Sequence, residues 1–316
     1  MSPKRSIFVP PPLGITFGIL ASSTAAILIR FAQDDAPSLI IAAYRLFFAS
    51  VLLLPLLLTR YRKELKNIDR NHFLLAIFAG FFLAIHFATW ISSLEFTSVA
   101  SSVVLVSTAP LFVSILSPIF LHEAIQRTLR YGLLLAFMGT IIVAISDACT
   151  LSNGFSCPPV ETFLSSEAIK GDLLALLGAI SGAGYMLIGR RVRSELSLIP
   201  YISIAYSSSA IILIGLVLIQ NAEPFNYPPI SYLWFILLAL IPQLIGHTTI
   251  NWALRYLPAA YVSVTLLGEP VASTIWAYLF LGERPSWLLI LGAFLILLGI
   301  GIASIPQLSG GTKTQP

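Results

Sequence analysis

Two stretches of this chain decide its fold: residues 94–123, LEFTSVASSVVLVSTAPLFVSILSPIFLHE, and residues 254–283, LRYLPAAYVSVTLLGEPVASTIWAYLFLGE. A shift of 160 residues superposes them without gaps, and the alignment continues through residues 145 and 305. The matched prolines, glutamates and glycines are Pro110 with Pro270, Glu123 with Glu283, Gly132 with Gly292, and Gly139 with Gly299. The chain therefore contains an internal repeat.

The composition places both copies of the repeat in a membrane. The chain is 57% hydrophobic and only 10% charged, whereas soluble domains carry roughly 25% charged residues. Apolar stretches of about 17–24 residues recur, which is long enough for a helix to cross a bilayer, and they lack the alternation of barrel strands. We predict an all-α polytopic membrane protein with about ten transmembrane helices. The predicted spans lie near residues 13–31, 38–58, 72–93, 98–120, 131–147, 169–189, 200–219, 230–252, 258–281 and 287–305.

Basic residues predict the orientation of the spans. Fourteen of the 18 lysines and arginines fall on one side if the N-terminus is inside, and the opposite side receives only Arg30, Lys170 and Arg284. Lys and Arg concentrate on the cytoplasmic side of membrane proteins. We expect a multi-pass protein of the plasma (inner) membrane with both termini cytoplasmic. Orientation also explains the pI of about 9.1, so no nucleic-acid partner is expected.

Five spans in each half imply that the two copies enter the membrane in opposite directions. The predicted units are a first repeat at 13–147, an outer linker loop at 148–168, an inverted second repeat at 169–305 and a cytoplasmic tail at 306–316. Inverted repeats are common in secondary transporters, whose substrate sites lie near the midplane between the copies. The alternative is a duplicated membrane protein that transports nothing.

The repeat motifs also resemble a known family. WISSLEFTSVASSVVLVSTAPLF…FLHE and NWALRYLPAAYVSVTLLGEPVAS…FLGE, each followed by a glycine-spaced span, resemble the EamA family of the drug/metabolite transporter superfamily. The resemblance covers about residues 13–305 and departs from the family pattern at LHE, where LGE is usual. It implies a metabolite carrier, most often an exporter of amino acids or related small molecules.

Glu269 and Pro270 stand side by side deep within the ninth predicted span. Glu269 lies about 16 Å along this helix, near the membrane midplane. A carboxyl there could couple transport to protons or provide a counter-charge for a substrate amine; alternatively, it only stabilises helix packing. Pro270 should leave the Leu266 carbonyl without its helical donor and kink the span, with Gly268 allowing close approach. Pro110 is the matching kink or hinge position of the first repeat.

Two polar pairs at a spacing of four residues predict a pocket. His247 and Asn251 lie in span 8, and His86 and Trp90 lie in span 3. Residues four apart share a helix face, and polar residues within a membrane usually face the bundle interior. His247 and Asn251 would hydrogen-bond a substrate, with Trp90 as a stacking wall. The alternative is hydrogen bonding between helices.

Further charged residues are candidates for binding or gating. Arg45 lies about eight residues into span 2, where it could attract a carboxylate substrate, pair with Glu269 or extend outward to the interface as an anchor. Glu123 and Glu283 close spans 4 and 9 on opposite sides, which predicts a capping or gate-pairing role. Cys149 and Cys157 both lie in the outer loop, where a disulfide is an open alternative.

The sequence indicates a transporter rather than an enzyme. We find no phosphate-binding glycine loop, metal-spacing cluster or hydrolase motif, and therefore expect neither a cofactor nor a metal. An integral membrane enzyme would need clustered catalytic groups, and a nucleotide-sugar carrier would need more intramembrane cations than Arg45. We expect an alternating-access exporter of small metabolites whose partners are a small-molecule substrate, the lipid bilayer and, as a candidate coupling ion, the proton. The oligomeric state stays open.

Overall fold

A computed structural model describes residues 11–121, 127–146, 166–257 and 259–309. Within these residues the chain forms helices joined by short connections, without any β-strand. The helices of the first half are Pro11–Ser23, Ala25–Gln33, Ser38–Arg60, Arg62–Lys66, Arg70–Ser93, Val99–Val106, Ala109–Leu121 and Arg127–Ser146. Those of the second half are Glu167–Arg193, Leu198–Ile219, Pro229–Leu238, the π-helix Ala239–His247, Thr248–Tyr256, Ala259–Thr265, Gly268–Leu281 and Trp287–Ser309.

These helices account for the ten predicted spans. Among the described residues, seven segments are long and apolar enough to cross a membrane, and they correspond to spans 1–4 and 6–8. Spans 5 and 10 contain the shorter apolar stretches Arg130–Val143 and Trp287–Ile302. Span 9 is formed by two consecutive helices, Ala259–Thr265 and Gly268–Leu281. The prediction of an all-α polytopic membrane protein is confirmed.

Spans 4 and 9 are each interrupted just before their matching prolines. The helix of span 4 breaks at Ser107–Thr108, and the helix of span 9 breaks at Leu266–Leu267. Each proline then lies in the first turn of the following helix. The backbone N–H groups of a first turn have no acceptor within the helix, so a proline there removes no helical hydrogen bond. The interruption places each proline where it removes no helical hydrogen bond, unlike Pro55, which lies inside the continuous helix Ser38–Arg60.

The close packing of spans 5 and 10 shows that they run antiparallel. A Cβ atom added to Gly139 would lie 2.7 Å from the Gly292 carbonyl oxygen, and one added to Gly299 would lie 2.6 Å from that of Gly132. Gly132 thus faces Gly299 and Gly139 faces Gly292, so the two helices run in opposite directions. Since the repeat matches Gly132 with Gly292 and Gly139 with Gly299, equivalent helices face each other in opposite directions. The two copies are inverted.

The first span of each half packs through small residues against the third span of the other half. In span 6, a Cβ on Gly182 would lie 3.0 Å from Nδ1 of His86 in span 3. In span 1, a Cβ on Gly18 would lie 3.0 Å from the Thr249 side chain in span 8. Small residues permit such close approach in membranes. These contacts bring polar residues from both halves towards the centre of the bundle.

Candidate functional site

A central cavity lies between the two halves, bordered by spans 1, 3, 4, 6, 8 and 9. Its volume is about 90 Å³, which is enough for several waters or a small solute. Five of the predicted residues line the cavity: His86, Trp90, Pro110, His247 and Glu269. The remaining wall is largely apolar, so these polar groups dominate its chemistry.

Glu269 reaches the cavity from the first turn of the helix Gly268–Leu281. The helix break before it makes this turn a helix N-terminus, whose dipole favours a negatively charged group. The Leu266 carbonyl accepts a hydrogen bond from the Glu269 backbone N–H at 2.8 Å, so the expectation that Pro270 leaves this carbonyl free is wrong. This hydrogen bond from residue 269 to residue 266 replaces the one that the N–H of residue 270 would donate if it were not a proline. The helix break therefore makes the Glu269 carboxyl, and not the Leu266 carbonyl, the group available to a ligand in the cavity.

Two groups from other spans act on the Glu269 carboxyl. The hydroxyl of Ser22, in span 1, lies beside it on the cavity wall. The guanidinium of Arg45, in span 2, interacts with it electrostatically. An opposite charge and a hydrogen-bond donor both stabilise an ionised carboxylate that has been removed from water. Removal from water favours the neutral carboxyl, and these two neighbours oppose that effect.

Arg45 itself is fully buried behind the cavity. Its Nε donates to Oε1 of Gln243 at 2.9 Å, and its guanidinium lies over the Phe87 ring, 4.1 Å from the centroid. Since its side chain is 0% exposed, the alternative in which Arg45 extends to the interface is wrong. Neither of its terminal nitrogens has a hydrogen-bond partner among the described residues. A buried cation with unused donors favours an anionic group nearby.

The two histidines meet across the repeat boundary. The rings of His86 and His247 are 6.3 Å apart between centroids, and His247 also lies edge-on to Phe87 at 5.2 Å. His86 stacks on Trp90 at 5.9 Å between centroids. The structure thus brings both histidines and the predicted aromatic wall to one side of the cavity.

Asn251 lies outside the cavity wall. It is fully buried, and its Nδ2 donates to the Tyr185 hydroxyl at 2.6 Å and to the His247 carbonyl at 2.7 Å. Tyr185, in turn, lines the cavity. Asn251 therefore supports the cavity wall by hydrogen-bonding Tyr185 of span 6. This contact fits the alternative in which such polar residues bond one helix to another.

The remaining predicted site residues lie around the cavity or beyond it. Pro270 is buried behind Glu269, and Gly268 lies close to Ile19 in span 1, since an added Cβ would lie 3.2 Å from Ile19 Cγ2. Glu283 lies at one end of the bundle, away from the cavity lining. Glu123, Cys149 and Cys157 lie outside the described residues.

Glu283 connects three spans at that end. Its Oε2 accepts from the backbone N–H of Val99, at the start of span 4, at 2.9 Å. Its Oε1 lies 3.7 Å from Nη2 of Arg30, which also donates to the Thr97 carbonyl at 2.8 Å. A carboxylate at a helix N-terminus both caps it and complements its dipole. The ends of spans 1, 4 and 9 are thereby held together.

Several residues of the site were missed by sequence reasoning. Ser22, Tyr185 and Met186 line the cavity from spans 1 and 6, and Ser107 and Ser263 line it from spans 4 and 9. The small-residue runs at 21–26 and 178–184, which match across the repeat, were the available signal for spans 1 and 6. The π-helix Ala239–His247, which includes Pro242, positions Gln243 and His247 and had no clear sequence signal beyond that proline.

Inverted halves around a central cavity that carries a few polar groups are typical of a membrane transport protein. A family model, the EamA-like transporter family, matches residues 12–145 and 169–305. The chain belongs to this family, as the motif resemblance predicted.

Curated relatives and a solved structure agree with this class. The transporter YdfC of Bacillus subtilis is 25% identical, covering 82% of this chain and 79% of the relative. The pseudopaline exporter CntI of Pseudomonas aeruginosa is 24% identical, covering 90% and 93%. One crystal structure superposes with a TM-score of 0.65 at 19% identity, covering 96% of this chain and 99% of that one, which shows the shared fold. These relatives are named as transporters, so the enzyme alternative gains no support.

Proposed function

We propose that this protein is an alternating-access carrier that exports small amine-bearing metabolites such as amino acids. The observation that carries the proposal is the cavity between the repeats, with the Glu269 carboxyl on its wall and the buried Arg45 guanidinium within electrostatic reach. A carboxylate suits an ammonium group, and the positive charge of Arg45, buried behind the wall, attracts a carboxylate within the cavity. An amino acid carries both groups, and Trp90 and Tyr185 supply apolar surface for its side chain.

Glu269 is the proposed coupling group. Its carboxyl can hold a proton or neutralise a substrate ammonium, but binding one excludes the other. If the proton is taken up from one side and released on the other as the substrate moves the opposite way, the two movements are coupled. The inverted repeats supply the two conformations, because each half can adopt the packing of the other.

The proposed setting is the plasma (inner) membrane, with both termini in the cytoplasm and repeats at 13–147 and 169–305. The excess of basic residues on one side supports this orientation. The two regions matched by the family model support the division into repeats. The substrate is a small molecule, and the protons and the lipid bilayer are the other partners.

The experiment is transport in proteoliposomes with and without a pH gradient. The panel is radiolabelled alanine, threonine, lysine and methylammonium, tested with wild type, Glu269→Gln and the control Glu167→Gln, whose carboxylate is exposed. We expect a gradient to drive accumulation by wild type and Glu167→Gln, while Glu269→Gln retains only downhill movement. Accumulation by Glu269→Gln equal to that of wild type would contradict the coupling role. If the wild-type protein transports none of the four solutes, the proposed substrate class is wrong.

A further inference from the structure

One edge of the His86 ring is held against span 6. Its Nδ1 lies 2.8 Å from the carbonyl oxygen of Gly178. A Cβ on Gly182, one turn further along span 6, would lie 3.0 Å from the same nitrogen. The two glycines therefore leave room for the ring to approach the backbone of the neighbouring span, and the stack on Trp90 fixes the plane of the ring.

This contact determines which nitrogen carries the hydrogen. A carbonyl oxygen can only accept a hydrogen bond, so Nδ1 of His86 must be the donor. In the neutral imidazole the other nitrogen, Nε2, is then an acceptor. Because Nδ1 lies against span 6, Nε2 lies on the opposite edge of a ring that lines the cavity.

His247, at a near-matching position of the second repeat, has no such restraint. The ring of His247 contacts the rings of His86 and Phe87, but no hydrogen bond to it is present within the part of the chain that the structure describes. Of the two histidines, His86 is thus the one whose ring is held by a fixed acceptor.

We propose that the Gly178 carbonyl holds His86 in the Nδ1–H tautomer, and that Nε2 then selects solutes whose head group donates hydrogen bonds. This inference rests on the proposed transport function. Together with an ionised Glu269, Nε2 gives the cavity two acceptors. An ammonium group with N–H donors satisfies both, whereas a fully alkylated ammonium satisfies neither by hydrogen bonding. His86 is thus a specificity-determining residue for the site.

The tautomer is measured directly by nitrogen-15 NMR of ¹⁵N-histidine-labelled protein in lipid nanodiscs, with His86 assigned by comparison with His86→Gln. We expect the His86 Nδ1 resonance to be that of a protonated nitrogen and the Nε2 resonance that of an unprotonated one. The reverse assignment overturns the proposal. This measurement needs no substrate, so it is independent of whether the proposed function is correct.

Selection is tested with a matched pair of variants. In His86→Asn the amide nitrogen can replace Nδ1 at Gly178 but nothing replaces Nε2, whereas the longer side chain of His86→Gln reaches the Nε2 position. We expect His86→Asn to weaken apparent affinity for the best panel solute about ten-fold or more, the effect of losing one hydrogen bond to a charged group. His86→Gln should retain most of the affinity.

Inhibition by two cations supplies the second readout. Methylammonium should inhibit wild-type uptake more strongly than tetramethylammonium, and His86→Asn should reduce the difference, because Glu269 is then the remaining acceptor of the pair. Equal inhibition in wild type, or equal affinity of the two variants, overturns selection by His86. If the NMR result is as expected but wild type moves no panel solute, the proposed function and the selection both fail while the tautomer stands.

Discussion

Replacing Gly292 by alanine tests the packing on which the inverted arrangement depends. Gly292 lies where span 10 crosses span 5, and an added Cβ would lie 2.8 Å from Val143 Cγ2. It would also lie 2.9 Å from the Gly139 carbonyl oxygen and from the Val143 backbone nitrogen. Two of these three contacts are with backbone, which cannot change rotamer to make room.

The magnitude follows from the distance that the helices must move. Ordinary contact begins at 3.4 Å, so spans 5 and 10 must separate by about half an ångström, which weakens the dispersion contacts along their shared surface. Overpacking of this kind destabilises proteins by about 1–3 kcal/mol. We expect Gly292→Ala to lower the free energy of unfolding by an amount in that range.

The assay is thermal unfolding of the purified protein in one detergent, with Gly301→Ala as the control. Gly301 lies in the same helix, but a Cβ added there has no neighbour within 4 Å. We expect Gly301→Ala to match or exceed the wild-type melting temperature, because alanine favours helix more than glycine does. Equal melting temperatures for the two variants would refute the close crossing of spans 5 and 10.

Two further substitutions test the charged groups. Arg45→Met should lower the melting temperature, because it leaves the buried Oε1 of Gln243 without its donor, a loss worth about 1–3 kcal/mol. Uptake of amino acids should fall at least ten-fold because the charge that attracts their carboxylate is gone, and wild-type uptake would contradict that role. Glu283→Gln keeps an acceptor for the Val99 N–H but loses the charge pairing with Arg30, a partly exposed pair worth about 0.2–1 kcal/mol. If the pair keeps that end of the bundle closed, its loss should raise the reactivity of a cysteine placed at Ser107 towards a water-soluble thiol reagent by up to about five-fold. The measurement uses protein lacking Cys149 and Cys157, and unchanged reactivity would show that Glu283 only caps span 4.

Much of the architecture could be predicted because its causes are local in sequence. A run of apolar residues long enough to cross a bilayer must form a helix there, since the backbone has no water to hydrogen-bond. The proline positions likewise marked where spans 4 and 9 are interrupted. The details of those interruptions were not predictable, because the Leu266 carbonyl finds another donor once the helix restarts.

The residues of the site also separate into those that the sequence could predict and those that it could not. That Glu269, His86, Trp90 and His247 face the interior could be predicted because polar groups are costly inside a membrane and therefore stand out in an apolar sequence. Their neighbours Ser22 and Tyr185 could not, because serine and tyrosine are common in such helices and only their position gives them a role.

The sequence by itself determined the number of spans, the internal repeat and the inversion that an odd number of spans requires, because each depends only on hydrophobic length, matching residues and counting. The tertiary structure alone decided which polar groups meet: Arg45 with Gln243, Glu283 with Val99, and His86 with Gly178 rather than with solvent or lipid. Those contacts join spans that are distant in the chain. They arise because small residues let the helices approach closely enough for one carbonyl or one carboxyl to reach a particular partner.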